Sequence, residues 1–185
     1  LRGLVTLDLS NCKLKELPDS LIKLNALFEL QLTSNLLTKL PSDFGKLVSL
    51  SNLKLSHNRI SELPPSFGNL PSLRILHLNH NKLSYLPENF PNLISLTNLQ
   101  ISRNQLTQLP TSFGNLQALN QLDICKNSLT HLPDSIGELQ MLTLFNLQEN
   151  KLSTIPVSFG KLNLISSLFL SHNQLQTIPD SISQL

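Results

Sequence analysis

The chain has 185 residues, 40 % of them hydrophobic, with no Trp and one Tyr, enough for one domain with a sizeable core and too apolar for a disordered chain. A formal net charge of +2 is too small to point to nucleic acid, and no run of about 18 apolar residues is present to span a membrane. No signal peptide opens the chain, which starts at Leu1 without a Met and is expected to be a segment of a longer protein.

Read from the N-terminus, Leu4 opens the pattern LxxLxLxxNxL, and a Leu-Pro pair follows at Pro18. The pattern restarts at Leu27, Leu50, Leu73, Leu96, Leu119, Leu142 and Ile165. Leu-Pro or Ile-Pro returns at Pro41, Pro64, Pro87, Pro110, Pro133, Pro156 and Pro179. The interval is 23 residues every time, so residues 1–185 form a single domain of eight units without insertion or deletion. Each unit has seven apolar positions, in the fourth Leu73, Leu76, Leu78, Leu83, Leu86, Phe90 and Leu93, and all 56 such positions are apolar.

Within a unit the alternation of LxxLxLxx predicts a short strand with one face buried. The Asn that follows (Asn35, Asn58, Asn81, Asn104, Asn127, Asn150, Asn173) sits where the chain leaves the strand. A buried amide there bonds backbone of its own and the adjacent unit, so stacking predicts an asparagine ladder. Cys12 holds this place in unit one and is expected to be a buried structural thiol. Leu-Pro ends the strand half, because Pro has no N–H for a ladder. PxSFGxL then places Phe44, Phe67, Phe90, Phe113 or Phe159 on a short helical or 3₁₀ turn, usually followed by Gly. The glycine serves either a close backbone approach or a positive φ. One unit cannot bury its apolar face alone. Eight stacked units give an α/β fold: a curved right-handed solenoid with a parallel concave sheet of eight strands, roughly 35 Å long at about 4.8 Å per strand.

The third, fifth, seventh and eighth residues of each unit are expected to look outwards. Of these 32 positions only Ile75, Leu144, Phe169 and Cys125 are apolar. Units three to six gather Lys54, His57, Arg59, His77, His80, Lys82, Arg103 and Lys126 on one surface, opposed there only by Asp123, while most other acids belong to the convex turns. Three readings of this basic patch are open. It is a solvated face, or a docking surface for an acidic or phosphorylated partner, or a metal site built on His57, His77 and His80. Lys54, Lys82 and Arg103 repel a cation and argue against the last. Leu144 and Phe169 on adjacent strands form a candidate apolar anchor beside the charges. No phosphate loop, HExxH or paired-carboxylate cleft is present, and Ser56 and His57, adjacent in sequence, diverge on a strand; no enzymatic activity and no cofactor are expected from these residues.

The repeat LxxLxLxxNxLxxLPxSFGxL resembles the 23-residue Ras-group class of leucine-rich repeats, the form shared by scribble- and erbin-type scaffolds and plant intracellular Ras-group proteins. The resemblance implies a non-catalytic intracellular interaction module whose concave face binds a small GTPase, a phosphatase subunit or another signalling protein. Cys12 and Cys125 lie five units apart, too far for a disulfide. No Asn-x-Ser/Thr acceptor occurs, so a reducing, cytoplasmic setting is expected. The leading reading is a scaffold or adaptor that binds an acidic protein. The rival is the sensing or targeting segment of a multidomain kinase, GTPase, phosphatase or ubiquitin ligase. Nucleic acid is disfavoured because aromatic stacking platforms are lacking.

Overall fold

A computed structural model describes residues 3–185; the start read at Leu1 lies outside them. Its described residues form eight three-residue strands, β1 Thr6–Asp8, β2 Glu29–Gln31, β3 Asn52–Lys54, β4 Ile75–His77, β5 Asn98–Gln100, β6 Gln121–Asp123, β7 Leu144–Asn146 and β8 Ser167–Phe169. They pair in chain order into one open parallel sheet. The register advances by one unit each time, so Leu30, Leu53, Leu76, Leu99, Leu122 and Phe145 lie side by side. These leucines and the other apolar positions of units two to seven are almost wholly buried, as their period requires. In units one and eight most of the same positions are only partly covered, and Ile178 and Leu185 are exposed, because a solenoid unit contacts only its neighbours.

Every convex turn is 3₁₀, from Asp19–Lys23 to Asp180–Gln184. Their aromatic rings stack: Phe44 on Phe67 at 6.0 Å, Phe67 on Phe90 at 6.2 Å, Phe90 on Phe113 at 6.5 Å between centroids. Strands in a sheet repeat at about 4.8 Å. The aromatic side of each unit is therefore spaced more widely than the strand side, and the stack curves with the sheet inside. At Ile136 the ring column is interrupted, and Phe145 enters from β7 to stack on Phe159 at 5.7 Å.

The turn glycines serve close approach. None of them has a positive φ. A Cβ on Gly114 would lie 1.9 Å from the Ser135 carbonyl oxygen, and one on Gly45 would lie 1.9 Å from that of Ser66. The same contact is stapled by Ser66 Oγ, which accepts the Gly45 N–H at 3.1 Å and donates to the Ser42 carbonyl at 2.6 Å.

The asparagine ladder is present. Asn58 Nδ2 donates to Leu55 O at 3.0 Å in its own unit and to Leu32 O at 2.9 Å in the unit before, and its Oδ1 accepts the Leu37 N–H at 3.0 Å. Asn35, Asn81, Asn104, Asn127, Asn150 and Asn173 repeat this set. Cys12 departs from expectation: it is exposed, with Sγ 3.4 Å from Ser10 O. Among the described residues unit one has a neighbour on one side only, so nothing closes over the thiol.

Candidate protein-docking face

Strands cover only the third to fifth residues of each unit. The eighth residue lies past the strand, in a left-handed turn. Asn11, Ser34, His57, His80, Arg103, Lys126, Glu149 and His172 all have φ between 54° and 59°. Asn and His tolerate this region better than most side chains, which gives a backbone reason for four of the eight residue choices. The turn also fixes the Cα–Cβ direction identically in each unit, so this column forms a ridge along one margin of the sheet. The seventh position is outward only in part: Ser56 and Ser102 are buried, Ser10, Thr33, Asn79, Cys125 and Gln148 half-buried, and Ser171 exposed.

The ridge holds most of the predicted patch. His57, His80 and Arg103 are exposed on it, Lys126 half-buried, and Arg59 and Lys82 stand exposed beside it at the tenth position. Lys54 and His77 lie apart from these, half-buried at the ends of β3 and β4. Both ends of the patch are partly neutralised. Lys54 Nζ lies 3.7 Å from Glu29 Oε1, and Lys126 Nζ lies 2.9 Å from Glu149 Oε1. Glu149 was visible as the next residue of the Lys126 column; Glu29 escaped the sequence reading because it sits in a different column from Lys54. Arg59, Lys82 and Arg103 make no ion pair among the described residues.

The imidazoles of His57 and His80 stack at 4.1 Å with 18° between planes. Partial burial, then the charges of His57, Arg103 and Lys126, holds His80 below the usual histidine range. Burial, then Lys54, does the same to His77. Stacked rings aim their in-plane lone pairs side by side and not at one point, a poor geometry for a shared metal. Ser56 is buried while His57 is exposed, so the two do not form a nucleophile and base. Burial and Asp123 push the Cys125 thiol up to about 11, which makes it an inert group.

Leu144 and Phe169 do not meet as a register pair. Leu144 is opposite Ser167, and Phe169 is opposite Asn146. Leu144 is half-buried and Phe169 exposed, so of the candidate apolar pair only Phe169 stands open to solvent, two units beyond Lys126.

A leucine-rich repeat family model matches residues 2–60, 49–106 and 117–175. A leucine-rich repeat protein of Leptospira interrogans is 35 % identical with a TM-score of 0.95 over 100 % of this chain and 47 % of its own. The plant peptide hormone receptor RGFR1, solved in complex with RGF2, is 33 % identical with a TM-score of 0.84, over 99 % of this chain and 29 % of its own. The leucine-rich repeat ectodomain of the membrane receptor kinase GASSHO1/SCHENGEN3 of Arabidopsis thaliana, in complex with CASPARIAN STRIP INTEGRITY FACTOR 2, is 26 % identical with a TM-score of 0.78, over 97 % of this chain and 28 % of its own. The chain thus spans less than half the length of each of these structures. No curated protein sequence matches it. Eight units of one spacing, an open parallel sheet inside a ring of 3₁₀ turns and the matching repeat model place this chain in the leucine-rich repeat family.

Proposed function

We propose that the chain is the docking segment of a signalling scaffold or adaptor, and that it holds an acidic partner protein along the basic ridge. The carrying observation is the ridge itself: His57, His80, Arg103 and Lys126 succeed one another in a fixed left-handed turn, with Arg59 and Lys82 alongside. Arg59, Lys82 and Arg103, exposed and without an ion pair among the described residues, steer encounter with an acidic surface. The 23-residue Leu-Pro form supports the Ras-group, scribble- and erbin-like class, and with it a small GTPase or another signalling protein as partner. The two free cysteines and the lack of an Asn-x-Ser/Thr acceptor support a cytoplasmic setting. In this reading the chain has a binding role and no chemistry of its own.

The test is affinity capture from lysate of the source cell with this chain, beside a variant carrying Lys54→Glu, Arg103→Glu and Lys126→Glu and an unchanged circular dichroism spectrum. A protein captured only by the unaltered chain supports the proposal and supplies the partner; identical capture by both reduces the ridge to solvation. A second reading is favoured by coverage, since the receptor kinase ectodomain above extends well beyond the matched region. In that reading the chain is the sensing or targeting part of a multidomain enzyme. A catalytic domain continuous with it in the full-length protein would decide for it.

A further inference from the structure

A groove of about 730 Å³ runs over the Leu-Pro pairs of the first four units. Its lining includes Pro18, Pro41, Pro64 and Pro87, with Pro65 beside them; Pro18 and Pro65 are exposed, Pro87 half-buried, and Pro41 and Pro64 buried beneath. Each of the four Leu-Pro carbonyls is already taken by the N–H of its own turn, at 2.8–3.1 Å, and proline has no N–H to offer. The prolines therefore offer an occupant no backbone donor, and those that are exposed offer it ring faces.

The walls have their own character. Tyr85 is 47 % exposed, and its hydroxyl donates to Glu62 Oε2 at 3.2 Å, which fixes ring and carboxylate together. Glu16 and Asp19 close the other end, and Lys39 is the one cation of the lining. A ring face beside carboxylates favours a cation stacked on Tyr85 or bonded to the acids. This is the opposite sign to the ridge, so the two surfaces select different partners.

Spacing bears on the backbone of the occupant. Glu16 and Glu62 occupy the same position two units apart. Units repeat at about 4.8 Å at the sheet and at 6.0 Å at the first pair of aromatic rings, so the two carboxylates belong to rungs roughly 10–12 Å apart. Three residues of polyproline II rise about 9.3 Å. An extended strand returns to the same side at about 6.7 or 13 Å and an α-helix after two turns at about 10.8 Å, so the choice among them rests on the lining. The lining favours polyproline II: the accessible rings of Tyr85, Pro18, Pro65 and Pro87 are the kind of surface such helices use, and a lysine or arginine stem absorbs the small excess of the spacing over three residues. We propose that the groove over Pro18, Pro41, Pro64 and Tyr85 docks a proline-rich segment in the polyproline II conformation, with basic residues three apart that meet Glu16 and Glu62.

The probe is a nine-residue proline-rich peptide with two arginines three positions apart, titrated into the chain by fluorescence anisotropy. Glu62→Lys is expected to weaken binding tenfold or more, Tyr85→Ala about fivefold, and Lys39→Glu to tighten it severalfold. Arg103→Glu on the ridge should leave it unchanged, which separates failure here from failure of the docking role proposed for the ridge. Glu62, Lys39 and Arg103 are exposed, so these variants are expected to fold, with circular dichroism as the check. Any of four results overturns the proposal: no binding, equal binding with the arginines two apart, equal binding of an alanine-rich helical peptide bearing the same arginines, or indifference to Glu62→Lys. A dimer of the chain that blocks the peptide and is lost in Glu62→Lys overturns it too, by giving the groove to a second copy.

Discussion

Asn81 does the work of three backbone bonds with one amide. Its Nδ2 donates to Leu78 O and Leu55 O at 3.0 Å each, and its Oδ1 accepts the Ile60 N–H at 3.0 Å. All three partners are buried; without the amide, Leu55 O keeps Asn58 Nδ2 and Leu78 O keeps Asn104 Nδ2, but the Ile60 N–H is left with neither water nor protein. Asn81→Ala is expected to lower unfolding stability by about 3 kcal/mol in urea titration, since the orphaned Ile60 N–H costs on the order of 1–3 kcal/mol and each of the two lost bonds about 1 kcal/mol. Cys12→Ala, at the corresponding place in unit one, should cost little, because that thiol is exposed and bonds only Ser10 O. The two cysteines also separate chemically. With its thiol pushed up to about 11, Cys125 stays protonated at pH 9, where an ordinary thiol is largely thiolate. Alkylation at pH 9 should therefore modify Cys12 first, and Cys125 only as the pH approaches 11 or the chain unfolds. Equal rates at pH 9 would contradict that environment for Cys125.

At the scale of the element, the convex turns are kept in contact by missing side chains. The fourth unit supplies the internal comparison, for Pro91 stands where Gly114 stands in the fifth. The ring spacing across that Pro, Phe90 to Phe113, is the widest of the three at 6.5 Å. An added Cβ is thus accommodated by parting the turns. Gly114→Ala is expected to force the same parting against Ser135 O and to cost about 1–3 kcal/mol, as overpacking does. Gly3→Ala, where a Cβ meets nothing within 4 Å, should leave the urea midpoint unchanged. The strand, ladder and turn of each unit were legible in the sequence, because the 23-residue period repeats every local signal eight times. Two things were not. The glycine spacing alone could not choose between a positive φ and a close approach, since both need the absent Cβ. The left-handed eighth residue was hidden because Arg103, Lys126 and Glu149, which do not favour that region, share it with His57 and His80.

Across the whole molecule, charge is sorted by surface although the net charge is only +2. The residues of the ridge were readable as a set, but their placement was not. Alternation suggested a strand face, whereas the eighth and tenth positions stand on the turn that follows it, and pairing of Lys54 with Glu29 takes one cation out of the row. What remains carries a pH signature. His80 and His77 are held below the usual histidine range in the free protein, so near neutral pH both are mostly uncharged. An acidic partner lowers the cost of protonating them, and the complex binds protons that the free chain does not. Linkage then requires the affinity to rise as pH falls from 7.5 to 6, through the interval in which the bound imidazoles charge. The rise should be severalfold at low salt and shrink at high salt, where exposed charges are screened. His80→Gln with His77→Gln should flatten the profile while leaving the salt dependence due to Arg103 and Lys126. A flat profile for the unaltered chain with the captured partner would take the histidines out of recognition and leave them as residues chosen by the turn.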